Sequence, residues 1–375
     1  MDLSTILLLC AIAAGVSGGV AARFRRWGTA PTDLFVGTSV TALFSVVVIV
    51  VLTLAVGLNL MGIIHYLYLL LVVGFPAGVA LIVIPQFLDA ERRMPIVGWL
   101  LAILAVSAGV IGLWATHVEP FRLQVDEQVL GATGANTPIV VGVIADLQTR
   151  SIGSHENAAL DAILDADPDL VVLPGDLFEL ELDELDERLP EFLGWLRRLT
   201  DSVEHVVLVN GDVDFIDVVE DLAEEAGAVF LNDALITLPV NGQDVTLAGL
   251  TVNPDEEMSA INPRVIESLE STTNINDLVI AVSHFPDPVL TLPALTTVDL
   301  MVSGHTHGGQ VSLPGFGPPL TFSGVPKVVA AGGLHVVDGT PIYVSTGVGI
   351  ARGQAPQLRF AVPPSVGLIT IVPPE

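Results

Sequence analysis

Four stretches of the first 117 residues stay apolar for about twenty residues each: Leu3–Ala22, Leu34–Val56, Gly62–Ile84 and Ile96–Ala115. A bilayer core offers backbone polar groups no water, so a segment crossing it as a single span must be helical, and about 20 apolar residues suffice. Four transmembrane helices are therefore predicted. The first is not read as a cleaved signal, because MDLST carries no Lys or Arg and a second span follows closely. Arg23, Arg25 and Arg26 follow the first span, Arg92 and Arg93 follow the third, and the intervening GLNLM loop is uncharged. The positive-inside rule places both arginine loops in the cytoplasm. The fourth span then leads outward, and a multi-pass cell-membrane protein with an extracytoplasmic domain is expected. No charged residue lies deep in a span. His65, with Tyr66 and Tyr68 near the outer end of span three, reads as an interfacial anchor rather than part of an ion pathway. Cys10, the single cysteine, reads as a membrane-buried thiol and excludes intrachain disulfides.

Charge divides the chain at the same place. The first 117 residues hold five arginines against four acidic residues, whereas the remainder holds nine basic residues against 38 acidic ones. The whole chain is 51% hydrophobic at a mean hydropathy of +0.68, yet its net charge is −28. An outer portion so acidic, with Lys327 as its one lysine, resembles proteins of extreme halophiles and suggests a haloarchaeal source. Its self-repulsion would be screened in molar salt, where the Debye length is about 3 Å. No basic patch is available to release phosphate counterions, so nucleic acid is not an expected partner. Expected partners are the lipid bilayer and a small substrate. The organisation predicted is an anchor over 1–117, a linker and leading strand over 118–137, and a catalytic-type domain over 138–375.

In that last region five short apolar runs each stop at a residue able to hold a metal ion. PIVVGVIA ends at Asp146, LVVLPG at Asp176, VVLVNG at Asp212 and LVIAVS at His284; LMVSG runs into His305, with His307 two further on. Such runs read as buried strands, and in open α/β sheets ligands gather at the carboxyl ends of strands. Five oxygen or imidazole donors in that position suggest one converging metal site. Between the runs, Asn157–Leu164, the Leu182–Leu199 pattern and Val218–Ala226 have helical spacing. After residue 227 strands dominate, with Val245–Leu250, Pro341–Ser345 and Gly367–Val372 the clearest, and Leu313–Gly324 is an irregular loop. An α/β domain follows.

The string Gly304-His305-Thr306-His307-Gly308-Gly309-Gln310 is the most specific in the chain. With the other four run-ends it resembles the ordered motifs of the calcineurin-like metallophosphoesterase superfamily: D-x-H, G-D, G-N-H-D/E, a lone His and G-H-x-H. The resemblance covers about residues 120–375. VSTGVG (344–349), Arg359-Phe360 and Pro363-Pro364 are similar to a membrane-anchored branch of that superfamily. The resemblance implies a four-layer α-β-β-α sandwich behind the four transmembrane helices. It also implies two divalent ions, Mn, Fe or Zn with Mn favoured. The first ion would take Asp146, Gln148, Asp176 and His307; the second Asp176, Asp212, His284 and His305, with Asp176 between them. The catalytic set would be Asp176, Asp212, His284 and His305. The implied activity is hydrolysis of phosphate mono- or diesters, with lipid and cell-envelope esters among the candidates, by a hydroxide that both ions activate.

Three positions depart from the superfamily pattern. Gln148 replaces the histidine of D-x-H, and Asp212 replaces the asparagine of G-N-H-D; both keep an oxygen donor. Val213 replaces the histidine that in much of the superfamily contacts phosphate and assists the leaving group, and valine does neither. General-acid help contributes typically about 10²–10⁴-fold. Arg150 and His155 are candidate phosphate contacts, or simply solvated loop residues, whereas His117, His205 and His335 read as structural. The alternative function is a catalytically degenerate domain that keeps the fold and binds a ligand or partner at the membrane.

Overall fold

The computed structural model describes residues 2–26, 30–88, 95–251, 258–272, 277–292 and 298–374. Arg92 and Arg93, on which the predicted orientation leans, lie outside them, as do the side chains of Arg25 and Arg26. The chain forms two compact units, one of residues 1–118 with 351–357 and one of residues 119–350 with 358–375.

The first unit contains α1 (Leu3–Arg26), α2 (Pro31–Val56), α3 (Leu60–Leu69), a π-turn at Leu70–Gly74, α4 (Phe75–Leu88) and α5 (Ile96–His117). Among the described residues, four helical segments are long and apolar enough to cross a membrane: Leu3–Arg23, Pro31–Val56, Leu60–Leu88 and Ile96–Phe121. Their outward faces carry exposed Leu43, Val47, Val51, Leu54, Leu104 and Val110, which suits hydrocarbon rather than water. Apolar side chains gain little from meeting one another in lipid, so close backbone approach holds such helices together. Gly15 and Gly19 of α1, four residues apart, face Gly74 and Gly78, also four apart. A Cβ on Gly15 would overlap the Gly74 carbonyl, and one on Gly19 would lie 2.5 Å from the Gly78 oxygen. Tyr66 is fully buried and donates to Ser45 Oγ of α2 at 2.9 Å, Tyr68 donates to the Gly112 carbonyl of α5 at 3.1 Å, and His65 is buried. Their hydroxyls find partners on neighbouring helices, as buried tyrosines usually do. Gln354 closes the α2–α3 turn, accepting from Asn59 N (2.9 Å) and donating to the Gly57 carbonyl (3.2 Å).

The second unit follows the chain order β1 (Gln124–Gly131), β2 (Ile139–Val143), α6 (Ser154–Leu164), β3 (Leu170–Pro174), α7 (Leu185–Thr200), β4 (Val206–Val209), α8 (Ile216–Ala226), β5 (Val229–Phe230), β6 (Ala234–Val240), β7 (Gln243–Leu250), α9 (Pro263–Thr272), β8 (Leu278–Ser283), β9 (Leu300–Ser303), α10 (Lys327–Ala330), β10 (Gly333–Val337), β11 (Thr340–Val344) and β12 (Ser365–Val372). Two mixed six-stranded sheets result, ordered β1-β12-β2-β3-β4-β5 and β10-β11-β9-β8-β7-β6. β2 to β5 run parallel, as do β7, β8, β9 and β11.

The continuous apolar runs have a structural cause: each strand feeds two cores. In β3, Leu170 and Val172 face the space between the sheets, where they meet Val245, Ile280 and Val302 of the other sheet. Val171 and Leu173 face outward, against α6, α7 and α8 through Leu160, Leu196 and Leu222. Alternate side chains leave opposite faces of a strand, so both must be apolar. α9 and α10 cover the second sheet through Val265, Leu269 and Val329. The sandwich is thus helix, sheet, sheet, helix, as the resemblance implied. α9 was hidden in the stretch read as strand-dominated, and Leu182, expected on the α7 face, precedes that helix and is exposed.

Gly15→Val should force α1 and the Gly74 carbonyl apart, costing about 1–3 kcal/mol or more. Thermal unfolding of the purified full-length protein in mild detergent should show the loss; an unchanged midpoint would remove the close-approach account.

Candidate metal centre

Parallel strands deliver their carboxyl ends to one edge of a sheet. Asp146, Asp176 and Asp212 follow β2, β3 and β4 at one rim of the first sheet, and His284 and His305 follow β8 and β9 in the second. Bonds across the sandwich join the two sets. Backbone N–H of His305 donates to Asp146 Oδ1 (2.9 Å), and His284 Nδ1 lies 2.9 Å from the Pro174 carbonyl. Among the described residues, donor atoms converge in two groups of three: Asp212, His284 and His305, and Asp146, Asp176 and His284.

The local backbone is bent to aim these groups. Five of the seven expected metal donors have left-handed φ: Asp146 (47°), Gln148 (35°), Asp176 (54°), His305 (67°) and His307 (47°). Each such residue costs on the order of 1–3 kcal/mol, and this strain gathers where function over-determines geometry. Two glycines make room for the carboxylates. A Cβ on Gly211 would overlap Asp176 Oδ1, and one on Gly304 would sit 2.6 Å from Asp146 Oδ2. That Asp146 oxygen is buried without a hydrogen-bond partner.

The imidazoles show most directly what the site is built to hold. A carbonyl only accepts, so His284 Nδ1 carries the proton that it donates to Pro174. His305 Nε2, 3.3 Å from the Phe322 carbonyl, does the same. The inner nitrogens, His284 Nε2 and His305 Nδ1, are then lone-pair donors. They lie 3.2 Å apart and face one oxygen, Asp212 Oδ1, at 2.7 and 3.3 Å. Asp176 Oδ2 is 3.5 Å from His284 Nε2. Lone pairs and carboxylates at this range repel unless a cation or a proton sits among them. Carbonyls that fix the outer nitrogens are the usual support of metal-binding histidines. The donor set therefore fits divalent metal.

In the absence of metal, a proton does this work. Burial opposes a charge on His284, but Asp176, the bond to Asp212 and Asp146 outweigh it and raise its pKa to about 10. Burial also acts against ionised Asp212, yet bonds to His284 and His305 hold it far below the carboxylate range. Asp176 and Asp146 are pushed up by burial, Asp176 further by the neighbouring Asp212 and Asp214 charges.

Gln148 is buried and donates its amide N–H to Glu179 Oε2 at 3.0 Å. His307 belongs to neither group of three. It is buried, its pKa is pushed down by burial and by the Arg359 charge, and its Nδ1 lies 3.4 Å from Arg359 Nη2. Arg150, proposed from sequence as a phosphate contact, pairs with Glu184 at 2.6 Å. His155 donates to the Val348 carbonyl at 3.0 Å and packs edge-on against Phe121. Of the histidines read as structural, His205 and His335 bond the carbonyls of Pro239 and Gly332.

For two residues the sequence reading assigned no role at the site. Asp214, half-buried, accepts from the N–H groups of Asp176 (2.8 Å), Leu177 (3.0 Å) and Gly211 (2.8 Å), tying the second and third metal loops together. Arg359, fully buried, donates to the carbonyls of Thr346, Gly347 and Gly349, in the loop whose Val348 and Gly349 N–H groups bond Ala145 and Asp146. The one available signal was a lone charged residue within an apolar closing segment.

Residues 139–309 match the calcineurin-like phosphoesterase family. A metallophosphoesterase of Aquifex aeolicus, itself uncharacterized, is 30% identical over 212 residues, 54% of this chain and 73% of that protein. The chain belongs to the calcineurin-like phosphoesterase family. Two Bacillus subtilis metallophosphoesterases are also similar: YkoQ, 24% identical over 58% of this chain and 80% of its own length, and YkuE, 39% identical over 24% of this chain and 29% of its own. Metal dependence is a property of the family, and the two donor groups agree with it.

The raised His284 pKa has a measurable consequence. Protonated His284 contributes stability to the metal-free fold that is complete below about pH 6.5 and is lost as pH rises towards 10. At pH 7.5 an incoming ion must displace that proton, so Mn²⁺ binding should release about one proton. Calorimetry in buffers of different ionisation enthalpy measures this; a heat independent of buffer would contradict the extra proton on His284.

Proposed function

We propose that this protein is a membrane-anchored, divalent-metal-dependent phosphoester hydrolase with its catalytic domain on the extracytoplasmic side, acting on small or lipid-linked phosphate esters. The observation that carries the reading is the inward pair of imidazole nitrogens facing Asp212, each with its outer nitrogen bonded to a backbone carbonyl. Asp146, Gln148 and Asp176, with His307 beside them, would hold one ion; Asp212, His284 and His305, with Asp176, the other. Bound ions would supply activated water and neutralise phosphoryl charge. His284 is common to both observed groups of three, but with Nδ1–H bonded to Pro174 it has one lone pair, on Nε2, and would serve one ion.

The protein's own groups define the rest. Side chains of Asp212 and His305 are the most exposed of the cluster, at 31% and 14%, so a phosphoryl group approaches from their side. Asp176 is held in place by the Val213 N–H, which donates to Oδ1 at 3.2 Å. Residue 213 thus orients a donor through its backbone, while its side chain has no proton to give a leaving group. Arg150 is engaged by Glu184 and His155 by Val348, so neither supplies that proton from the position it occupies. Leaving groups must depart unaided, which favours substrates whose leaving oxygen is already a good anion.

The full-length protein loaded with Mn²⁺ should therefore hydrolyse aryl phosphoesters faster than alkyl ones by about 10² or more. Asp176→Asn and His305→Ala should each reduce turnover by at least about a hundredfold. Metal binding without turnover across mono- and diester panels would favour the binding-only domain; equal aryl and alkyl rates would remove the unaided-departure argument.

The acidic surface, with 42 acidic against 14 basic residues, is proposed to be an adaptation to high salt, as in haloarchaeal proteins. Thermal midpoints should rise between about 0.1 and 1 M KCl, over which the Debye length falls from about 10 to 3 Å. A flat or falling trend would exclude that adaptation.

A further inference from the structure

In a chain with 42 acidic residues, the segment 311–326 (VSLPGFGPPLTFSGVP) carries no charge at all. It leaves its large apolar side chains in the open: Leu313 is 43% exposed, Phe316 81%, Leu320 46% and Phe322 47%. Singly exposed apolar residues need no explanation, but four gathered on one uncharged loop mark a binding surface.

The loop is built, not loose. Leu313 N bonds Gly317 O at 3.0 Å, and the Phe316 and Gly317 N–H groups return to Leu313 O at 2.9 Å, so Phe316 rides on a tight turn. At the far end the Asp287 carboxylate accepts from Ser323 Oγ (2.6 Å) and Gly324 N (2.7 Å). Two contacts fasten the loop to the metal centre. Pro318 presses on Gly309, where a Cβ would meet Pro318 Cβ at 2.5 Å. Phe322 takes φ 49°, rare for a bulky residue, and its carbonyl thereby receives His305 Nε2 while its ring stays half-exposed. His305 and Asp212 are the solvent-facing members of the cluster, so the apolar loop borders the side from which substrate enters.

We propose that this loop is the subsite for the hydrocarbon tail of an amphiphilic phosphoester. The tail lies along Leu313, Phe316 and Leu320 while the phosphoryl group sits at Asp212 and His305. The proposal rests on the hydrolase reading above and specifies its substrate class. A hydrocarbon chain is the occupant the surface fits: residues 311–326 carry neither base nor acid, and the one adjoining cation, Lys327, donates to the Pro319 carbonyl at 3.4 Å. The gain it offers scales with apolar area removed from water. Four helices apolar enough to cross a membrane, in the same chain, keep the domain where acyl and prenyl chains are found.

The test compares methylphosphonate with octylphosphonate, which share a head and differ in tail, as ligands of the Mn²⁺-loaded full-length protein in nanodiscs, by calorimetry. Octylphosphonate should bind about tenfold or more tightly than methylphosphonate. Phe316→Ser and Leu320→Ser should each remove most of that difference while leaving methylphosphonate binding and the thermal midpoint unchanged. Equal affinities in the parent protein overturn the subsite. So does a chain-length preference that survives both substitutions, which places the tail elsewhere. Loss of both ligands in the variants also overturns it, since the loop would then support the metals rather than the tail. Failure of the hydrolase reading shows separately, as absent turnover on the aryl ester panel.

Discussion

The inward nitrogens of His284 and His305, 3.2 Å apart and both facing Asp212, are the constraint on which the domain's construction turns. Such a cluster is unfavourable on its own, because it packs lone pairs and carboxylates into a largely buried space. It persists because each outer nitrogen is tied to a carbonyl, one from the first sheet at Pro174 and one from the loop at Phe322. Breaking either tie would let a ring turn and the cluster relax. The apolar sandwich behind it supplies the rigidity those ties need: strands buried on both faces have no slack through which the site can relax.

The departures from the family pattern look different once they are seen in place. Val213 removes a side-chain proton donor but keeps the backbone N–H that orients Asp176. Gln148 keeps an amide whose direction is set by Glu179. Asp212 keeps an oxygen and adds a charge, held ionised by two histidines. Each change alters one chemical capacity and leaves the geometry standing. This is why a metal-supported reaction with unaided leaving-group departure is the reading best supported, and not a relic fold.

Support for the site comes from residues that were not read as metal donors. Asp214 gathers three backbone N–H groups from two loops, and Arg359 gathers three carbonyls from the loop beside Asp146. A carboxylate suits donors and a guanidinium suits acceptors, so the pair stabilises loops of opposite polarity on two flanks of the cluster. Both lie in layers that a reading focused on strand-end donors passes over.

Sequence alone determined the elements with one-dimensional signatures. Long apolar stretches announced four helical segments long and apolar enough to cross a membrane. Two-sided burial of strands produced the unbroken Val and Ile runs, and donors at their ends foretold the rim on which Asp146, Asp176, Asp212, His284 and His305 converge. What the tertiary structure decided depends on residues far apart in the chain meeting in space. The turn of His284 towards Asp212 rests on Pro174, 110 residues away, and that of His305 on Phe322, 17 residues away. The engagement of Arg150 and His155 elsewhere rests on Glu184 and Val348. The inward burial of Tyr66 rests on Ser45, and the placement of an uncharged loop beside His305 on the left-handed Phe322 and on Pro318 packed against Gly309. No local pattern encodes such meetings, because hydrogen-bond partners are chosen by folded proximity and not by spacing along the chain.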